Sequence, residues 1–339
     1  MLIYLIKIFI FQILISFPII KISIIKSLVD KPNNRKFHLN ATPYTGGIIL
    51  SLTYLFIIFL TEFDDQSLNL VFSYAFIISL TGLVDDRYNV RPGTKLILQS
   101  IPIFFLIDQN LYLLDLGNYN LVDTLNLGSI NKIFTFLCCL LLINAFNYSD
   151  GIDGLLPSIS IAILISFTFF LFNINDMAFL NMILITFPLI IFLFFNFGIL
   201  KKFKVFLGDS GSNFLGFIIS FIAIYLFKEK GIHPALVVWP LAYLVYEFLS
   251  VTIFRIMSNK GTFKPGKDHL HYEIIKVFKL NQYTALFFVI FINIFFVLFG
   301  SFIFYKTSPD ISMIAFIFFF IIYLGFKYLI KKFNNQLNK

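Results

Sequence analysis

The chain has 339 residues, of which 59% are hydrophobic and only 13% charged. Soluble globular proteins are about 45–50% apolar and about 25% charged, so this composition excludes them and predicts a polytopic membrane protein. The net charge of +8 comes mainly from basic loops on one side of the membrane, and it does not indicate nucleic acid binding.

Apolar runs of spanning or nearly spanning length recur along the whole chain. They cover residues 2–21, 47–62, 68–84, 93–107, 132–148, 155–173, 178–199, 212–227, 234–257, 283–305 and 311–329. The first is too long, and too poor in small residues at its end, for a removable signal peptide. The sequence therefore predicts an all-α membrane protein with about 11 transmembrane helices in a single domain, residues 1–339.

The basic residues predict the orientation, because cytoplasmic loops carry an excess of Lys and Arg. Most of the 26 lie in loops 21–46, 85–95, 200–211 and 255–279 or in the tail, with which we count Lys327. The opposite side has only Lys132, Lys228, Lys230 and Lys306. We therefore expect a periplasmic N-terminus and a cytoplasmic C-terminus.

The first basic loop reads Asp30-Lys-Pro-Asn-Asn-Arg-Lys-Phe-His38 and is followed by Gly46-Gly47. Basic residues with a His, prolines and glycines indicate a rigid anion-binding loop, although a loop that only fixes topology would also be basic. The third apolar run ends in Asp85-Asp86-Arg87. Neighbouring helical residues point about 100° apart, so these two acids can serve different partners.

The fourth run carries Lys95 and Gln99, which share a helix face because they are four residues apart. Residues 108–131 follow on the outer side. There Leu111–Leu116 and Tyr119–Thr124, separated by Gly117-Asn118, are typical of a small hairpin at about residues 111–124. We assign no chemistry to it.

The central polar stretch is Asn144-Ala-Phe-Asn-Tyr-Ser-Asp-Gly-Ile-Asp-Gly154, between two apolar runs. Residues three apart drift by only about 60° around a helix, so Asn144, Asn147 and Asp150 can face one pocket. The glycines predict that helix breaks here and that an irregular turn re-aims Asp153. Side chains of this type also cap helices, which is the alternative interpretation.

Two further polar clusters follow. Gly208-Asp209-Ser210-Gly211-Ser212 precedes the eighth run, where helix N-terminal N–H groups attract phosphate and Asp209 can ligate a cation; an ordinary capped turn would look similar. The last long loop carries Asp268-His269-Leu-His271-Tyr272. Without nearby thiols for a closed zinc site, this basic loop fits a diphosphate or nucleotide better. Glu247, inside the ninth run, needs a partner.

Every polar cluster falls on the predicted cytoplasmic side, whereas a transporter would place ionisable groups near the midplane and in two corresponding halves. Taken in order, Asp30-Lys-Pro-x-x-Arg-Lys-x-His38, Asp85-Asp86-Arg87, Asn144 to Leu155, Phe206 to Ser212 and Asp268-His-Leu-His271 resemble the polyprenyl-phosphate N-acetylhexosamine-1-phosphate transferases, the superfamily of WecA, TagO and MraY. The resemblance spans most of the chain and is closest to the WecA/TagO branch.

The resemblance implies an enzyme of the bacterial inner membrane, with its active site on the cytoplasmic side. It implies that undecaprenyl phosphate attacks a UDP-N-acetylhexosamine, with UMP released, to start a cell-envelope polysaccharide. Mg²⁺ is the implied cofactor, with Mn²⁺ as a substitute. The resemblance leaves undecided whether the protein forms a homodimer. N-acetylglucosamine is the leading sugar, ahead of N-acetylgalactosamine or a deoxy-amino sugar.

The resemblance also implies roles for individual residues. Asn147 and Asp209 are assigned to the metal, and Asp85, Asp86, Asp150 and Asp153 to catalysis and to the nucleotide and diphosphate pocket. The remaining assigned residues bind substrate: Asp30, Lys31, Arg35, His38, Lys95, Asn144, Gly208, Ser210, His269 and His271. Direct attack by the lipid phosphate is favoured over a covalent aspartyl intermediate, because that phosphate is already anionic.

Two residues depart from the branch pattern. Tyr272 stands where the branch has a third His, and Glu247 stands where it has an Asp. Three alternatives remain at this point: a transferase of the MraY type that acts on a muramyl-pentapeptide donor, a carrier for polyprenyl-linked sugars, and an inactive scaffold that keeps the family shape.

Overall fold

A computed structural model describes residues 1–32, 40–61, 66–121, 123–172, 174, 176–259, 261, 266 and 268–337. Its α-helices, in chain order, are α1 Leu2–Ile25, α2 Gly46–Thr61, α3 Gln66–Tyr88, α4 Pro92–Asp108, α5 Asn131–Ser149, α6 Leu155–Leu171, α7 Asp176–Asn196, α8 Gly208–Lys230, α9 Pro234–Met257, α10 Leu270–Phe278, α11 Gln282–Lys306 and α12 Pro309–Leu337. Each predicted apolar run has most of its residues in a separate helix, although the runs 47–62, 155–173 and 178–199 were placed to end beyond Thr61, Leu171 and Asn196, where α2, α6 and α7 end. The short helix α10 is additional, because the sequence analysis treated its segment as loop.

The architecture confirms an all-α polytopic membrane protein. Within the described residues, eight helices are long and apolar enough to cross a membrane, namely α1, α3, α5, α7, α8, α9, α11 and α12, and α2 and α6 are apolar but shorter. Helix α8 lies at the centre, since 89% of its apolar window is buried, against 17% for α12. The number of spans and the sidedness of the termini stay predictions.

Glycines let neighbouring helices approach the start of α8 unusually closely. A Cβ on Gly47 would lie 2.2 Å from the backbone nitrogen of Gly211, and a Cβ on Gly82 would lie 2.4 Å from the carbonyl oxygen of Asp209. Gly46 and Gly47 also donate backbone hydrogen bonds of 3.0 Å to the carbonyls of Phe206 and Leu207. Small residues at helix contacts are the usual means of close packing in membranes, and here they bring α2, α3 and α8 together at one end of the bundle.

Two small antiparallel sheets complete the fold. Strand β1, Val29–Asp30, pairs with β2, Thr42–Pro43. On the other end of the bundle, β3, Asp115–Asn118, pairs with β4, Thr124–Asn126.

The predicted outer hairpin is therefore present, but its predicted turn at Gly117-Asn118 is wrong. Gly117 lies inside β3, with φ +93°, and the pairing is irregular between Asp115 and Asn118. A glycine with positive φ fits a bulge as well as a turn. The sequence therefore correctly predicted a hairpin in this region but placed its turn at the wrong residues.

The basic-residue count also needs one correction. Lys327, counted with the cytoplasmic tail, lies inside α12 and is 1% exposed. Its amino group forms an ion pair with Glu247 of α9. Lys327 is therefore a buried partner for a buried acid, and it carries no information about topology.

The glycine contacts give a stability prediction. Gly47→Ala places a methyl group against the backbone of α8, which cannot move aside as a flexible side chain can, so we expect it to cost about 2 kcal/mol or more. Gly325→Ala is the matched control, because nothing lies within 4 Å of its Cβ position. Thermal unfolding of both variants in the same detergent measures the difference; equal midpoints would contradict the close approach of α2 and α8.

Candidate active site

A cavity of about 820 Å³ opens at the basic end of the bundle. Its walls come from the ends of α1, α3, α5 and α7 and the starts of α8, α10 and α11, with the first sheet alongside. The lining residues include Asp30, Tyr44, Asp85, Asp86, Asp150, Gly151, Asp153, Lys204, Gly208, Asp209 and Tyr272. Five carboxylates from α3, the 150–154 turn and α8 therefore share one space.

Three oxygen atoms from three helices converge on one ammonium group beside this cavity. Lys95 Nζ lies 2.7 Å from Asp85 Oδ2 and 2.7 Å from Asp209 Oδ2. It also donates to Asn147 Oδ1 at 3.3 Å. The ammonium group thus stands in the place where a cation would be shared by these ligands, and it supplies the positive charge that two neighbouring carboxylates require.

The amide of Asn147 fixes the same cluster from the other side. Its Nδ2 donates to Asp209 Oδ1 at 2.9 Å and to Ser212 Oγ at 3.0 Å. Because Nδ2 donates to these two acceptors, Oδ1 faces the ammonium group of Lys95. Carboxylate and amide oxygens are hard ligands of the kind that Mg²⁺ takes together with substrate phosphates, so the residues present fit the implied metal.

Among the described residues, no three His, Cys, Asp or Glu side chains are grouped as a metal site. Mg²⁺ bound here would have only two carboxylates and one amide from the protein. That is compatible with its usual coordination, in which waters and substrate phosphates complete the shell.

A deeper set of amides supports this cluster one helical turn further into the bundle. Gln99 donates to Asn213 Oδ1 at 3.1 Å and accepts from Asn144 Nδ2 at 3.2 Å. Asn144 is buried here and is not among the described residues that line the cavity. Asn213 was missed in the sequence, although its position four residues after Asp209 puts it on the same face of α8.

Asp86 contacts the backbone of α8. Its two carboxylate oxygens accept hydrogen bonds from the backbone N–H groups of Asp209 and Ser210, at 3.0 and 3.1 Å. Gly208 permits this approach with φ +72°, and a Cβ there would lie 2.4 Å from the carbonyl oxygen of Tyr44. Asp86 therefore caps the first turn of α8, while its neighbour Asp85 faces Lys95, as the 100° offset between adjacent helical residues allows.

The stretch after α5 turns back on itself, as the glycines predicted. Helix α5 ends at Ser149, and Gly154 has φ +77°. The side chain of Asn196 holds the turn, since its Oδ1 accepts from the backbone N–H of Gly154 at 2.6 Å and its Nδ2 donates to the carbonyl of Val205 at 3.0 Å. Asp153 pairs with Lys204 at 2.5 Å. Asn196 was another residue that sequence reasoning missed.

Helix α10 lies behind one wall of the cavity. Tyr272 lines the cavity and donates its hydroxyl to the carbonyl oxygen of Gly151 at 2.8 Å. His271 is fully buried against Gly151, and neither of its ring nitrogens has a hydrogen-bond partner among the described residues. Burial lowers the pKa of His271 to about 3, so it is neutral at pH 7.

The remaining predicted residues fall into distinct places. Asp30 and Gly208 line the cavity, and Lys31 is exposed. Arg35 and His38 lie outside the described residues. His269 is buried, with Nδ1 3.3 Å from Glu247 Oε1, and neither it nor His271 is among the described lining residues. All the site assignments stay predictions of role, and the structure supplies positions for those that lie within the described residues.

Asp150 carries a pH-dependent cost to stability. Burial, with the charges of Asp209 and Asp153, raises the pKa of its carboxyl to about 8, whereas an unfolded Asp titrates near 4. A folded-state pKa above the unfolded value means that stability falls as pH rises between those values. Asp150→Asn should therefore stabilise the metal-free protein, with almost no gain near pH 4 and a gain that grows by at most about 1.4 kcal/mol per pH unit up to pH 8.

Thermal unfolding in EDTA at pH 5 and pH 8 measures this effect. Asp153→Asn is the matched comparison, because Asp153 already has the Lys204 ammonium as partner and its removal leaves that cation unpaired. A gain for Asp150→Asn that does not grow with pH would show that the carboxyl is not buried as described.

Comparison with known proteins identifies the family. The model of glycosyl transferase family 4 matches residues 68–227. A Pasteurella multocida protein is 32% identical, with 74% of this chain and 71% of that protein covered. Proteins of Yersinia pestis and Escherichia coli K12 are 28% identical, each with 80% of this chain and 76% of the relative covered. All three are named undecaprenyl-phosphate alpha-N-acetylglucosaminyl 1-phosphate transferase. The chain therefore belongs to glycosyl transferase family 4, the polyprenyl-phosphate N-acetylhexosamine-1-phosphate transferases that its motifs resemble.

Proposed function

We propose that this protein transfers N-acetylglucosamine 1-phosphate from UDP-N-acetylglucosamine to undecaprenyl phosphate on the cytoplasmic side of the bacterial inner membrane. The products are UMP and the lipid-linked sugar that starts an envelope polysaccharide. The observation that carries the proposal is the convergence of Asp85, Asn147 and Asp209 on Lys95 at the edge of the cavity. The names of the relatives supply the acceptor, undecaprenyl phosphate, and the transferred N-acetylglucosamine 1-phosphate, and the family supplies the UDP-linked donor.

The reaction needs little covalent chemistry from the protein. An oxygen of the lipid phosphate attacks the β-phosphorus of the sugar nucleotide, forming one P–O bond, and the bond from that phosphorus to the bridging oxygen breaks. UMP leaves with the bridging oxygen. Phosphoryl transfer of this kind is accelerated mainly by positioning and by neutralising phosphate charge.

Asp209 and Asn147, with Asp85 as neighbour, would hold Mg²⁺, which supplies charge neutralisation at the diphosphate. Lys95 supplies a second positive charge at the same point and is suited to hold the attacking phosphate. Asp85 then orients Lys95, while Asp86 orients the backbone on which Asp209 sits. Asp86 is thus assigned to positioning in place of direct catalysis.

The 150–154 turn and Tyr272 also contribute to the cavity wall and are assigned to the donor. Asp153 is paired with Lys204 on the cavity wall, so this wall presents both signs of charge to a polar ligand. In the metal-free site, burial and the charges of Asp209 and Asp153 raise the pKa of the Asp150 carboxyl, and in its protonated form that carboxyl can donate a hydrogen bond to a phosphate or sugar oxygen.

Removal of the central carboxylate tests the site. Asp209→Asn should lower UMP release from UDP-N-acetylglucosamine and undecaprenyl phosphate by about a hundredfold or more, because positioning and charge neutralisation are both weakened. Asp108→Asn is the control, since Asp108 is exposed at the far end of α4. UMP release and labelled sugar phosphate in the lipid extract are measured together. Full activity in the Asp209 variant would exclude this site.

A donor panel tests the substrate and the carrier alternative. Purified protein is incubated with Mg²⁺, undecaprenyl phosphate and one of three donors: UDP-N-acetylglucosamine, UDP-N-acetylgalactosamine or UDP-linked muramyl pentapeptide. The lipid product is then identified and quantified by mass spectrometry. We expect UDP-N-acetylglucosamine to give the largest amount of lipid product. Movement of a preformed lipid-linked sugar from one leaflet of a vesicle bilayer to the other, without UMP release, would instead support a carrier.

A further inference from the structure

The polar cluster beneath α10 lies outside the cavity and has no part in the proposed chemistry. At its centre is Glu247, which is fully buried in α9. Its Oε1 accepts from the backbone N–H of Leu270 at 2.9 Å, and its Oε2 accepts from the Tyr323 hydroxyl at 2.6 Å. Lys327 forms an ion pair with the same carboxylate. One side chain therefore joins three helices: α9, α10 and α12.

Stability alone does not account for this arrangement. A buried ion pair costs so much desolvation that apolar side chains of similar volume are often equally stabilising. An apolar pair, however, would leave the first N–H of α10 without an acceptor. A carboxylate at a helix N-terminus also interacts favourably with the helix dipole. What the Glu247 carboxylate provides, and an apolar residue cannot, is a fixed attachment point for the start of α10.

The attachment continues to the cavity. Arg255 makes a two-pronged contact with Asp268, at 2.8 and 2.7 Å, just before α10. At the first turn of α10, Tyr272 bonds to the carbonyl of Gly151 between Asp150 and Asp153. Thus α10 is held by α9 and α12 on one side and contacts the carboxylate-bearing turn on the other.

We propose that Glu247 and Lys327 are positioning residues, which hold α10 so that Tyr272 and the Asp150–Asp153 turn form the donor wall of the cavity. The proposal rests on the proposed transferase function for its kinetic consequence. It gives α12 a role in the active site, although α12 is the least buried of the spanning helices described and lies beyond the residues that the family model matches. Tyr323 and Lys327, four residues apart, form the face of α12 that does so.

The test compares single and double replacements. Lys327→Met removes the ammonium partner of the buried Glu247 carboxylate, which keeps the His269 ring at 3.3 Å as its remaining basic neighbour among the described residues. We therefore expect kcat/KM for the UDP-sugar to fall about tenfold or more. Glu247→Gln/Lys327→Met removes both charges and keeps an acceptor for Leu270, so it should return to within about threefold of the wild type. Lys332→Met is the control, because Lys332 is exposed on the same helix.

A second readout does not depend on activity. Hydrogen exchange of the α10 amides should be faster in Lys327→Met than in the wild type and restored in the double variant. Tyr323→Phe is a milder change that removes the hydrogen bond to Glu247, and it replaces Lys327→Met in the test if that variant does not fold. It should also make exchange of the α10 amides faster than in the wild type. If the wild type lacks transferase activity but exchange follows this pattern, the function fails and the positioning role stands. Unchanged exchange in the single variants, or a double variant as impaired as Lys327→Met, would overturn it.

Discussion

Two carboxylates from α3 and α8, Asp85 and Asp209, lie close together because the Lys95 ammonium of α4 contacts both. Two carboxylates this close repel each other unless a cation lies between them, and the ammonium group of α4 supplies that charge to α3 and α8. The close approach of α2 and α3 to α8, made at Gly47 and Gly82, sets the backbone distances that permit it. Packing and electrostatics thus specify the same geometry.

Much of the fold could be predicted from the sequence, because helices in lipid must satisfy their own backbone groups and their apolar runs are long. The short helix α10 was missed, since a nine-residue helix in a loop has no spanning signal. Lys327 was misassigned because a charge count treats every Lys near the end of a span as solvated. The hairpin turn was misplaced because glycine with positive φ serves turns and bulges alike.

The candidate site was predictable in its members more than in their contacts. Asp85, Asn147 and Asp209 were identified from polar residues that an apolar span would not carry without reason. The sequence could not show that Asp86 caps α8 while Asp85 contacts the Lys95 ammonium group. Both are acids at the end of one helix, and only the direction of each side chain determines its role. Asn196 acts through contacts with the backbone of Gly154 and Val205 that no local pattern reports, whereas the position of Asn213 four residues after Asp209 was a signal that could have been used.

The end of the bundle away from the cavity is held by its own set of hydrogen bonds. Asp310 at the start of α12 accepts from the backbone N–H groups of Asn120 and Leu121, and His233 before α9 contacts the carbonyl of Asn118. The loop between α4 and α5 is thereby joined to two later helices. An alternating-access cycle would have to break each of these bonds on every turnover. The proposed transfer reaction uses the cavity at the opposite end of the bundle, and it leaves these hydrogen bonds intact.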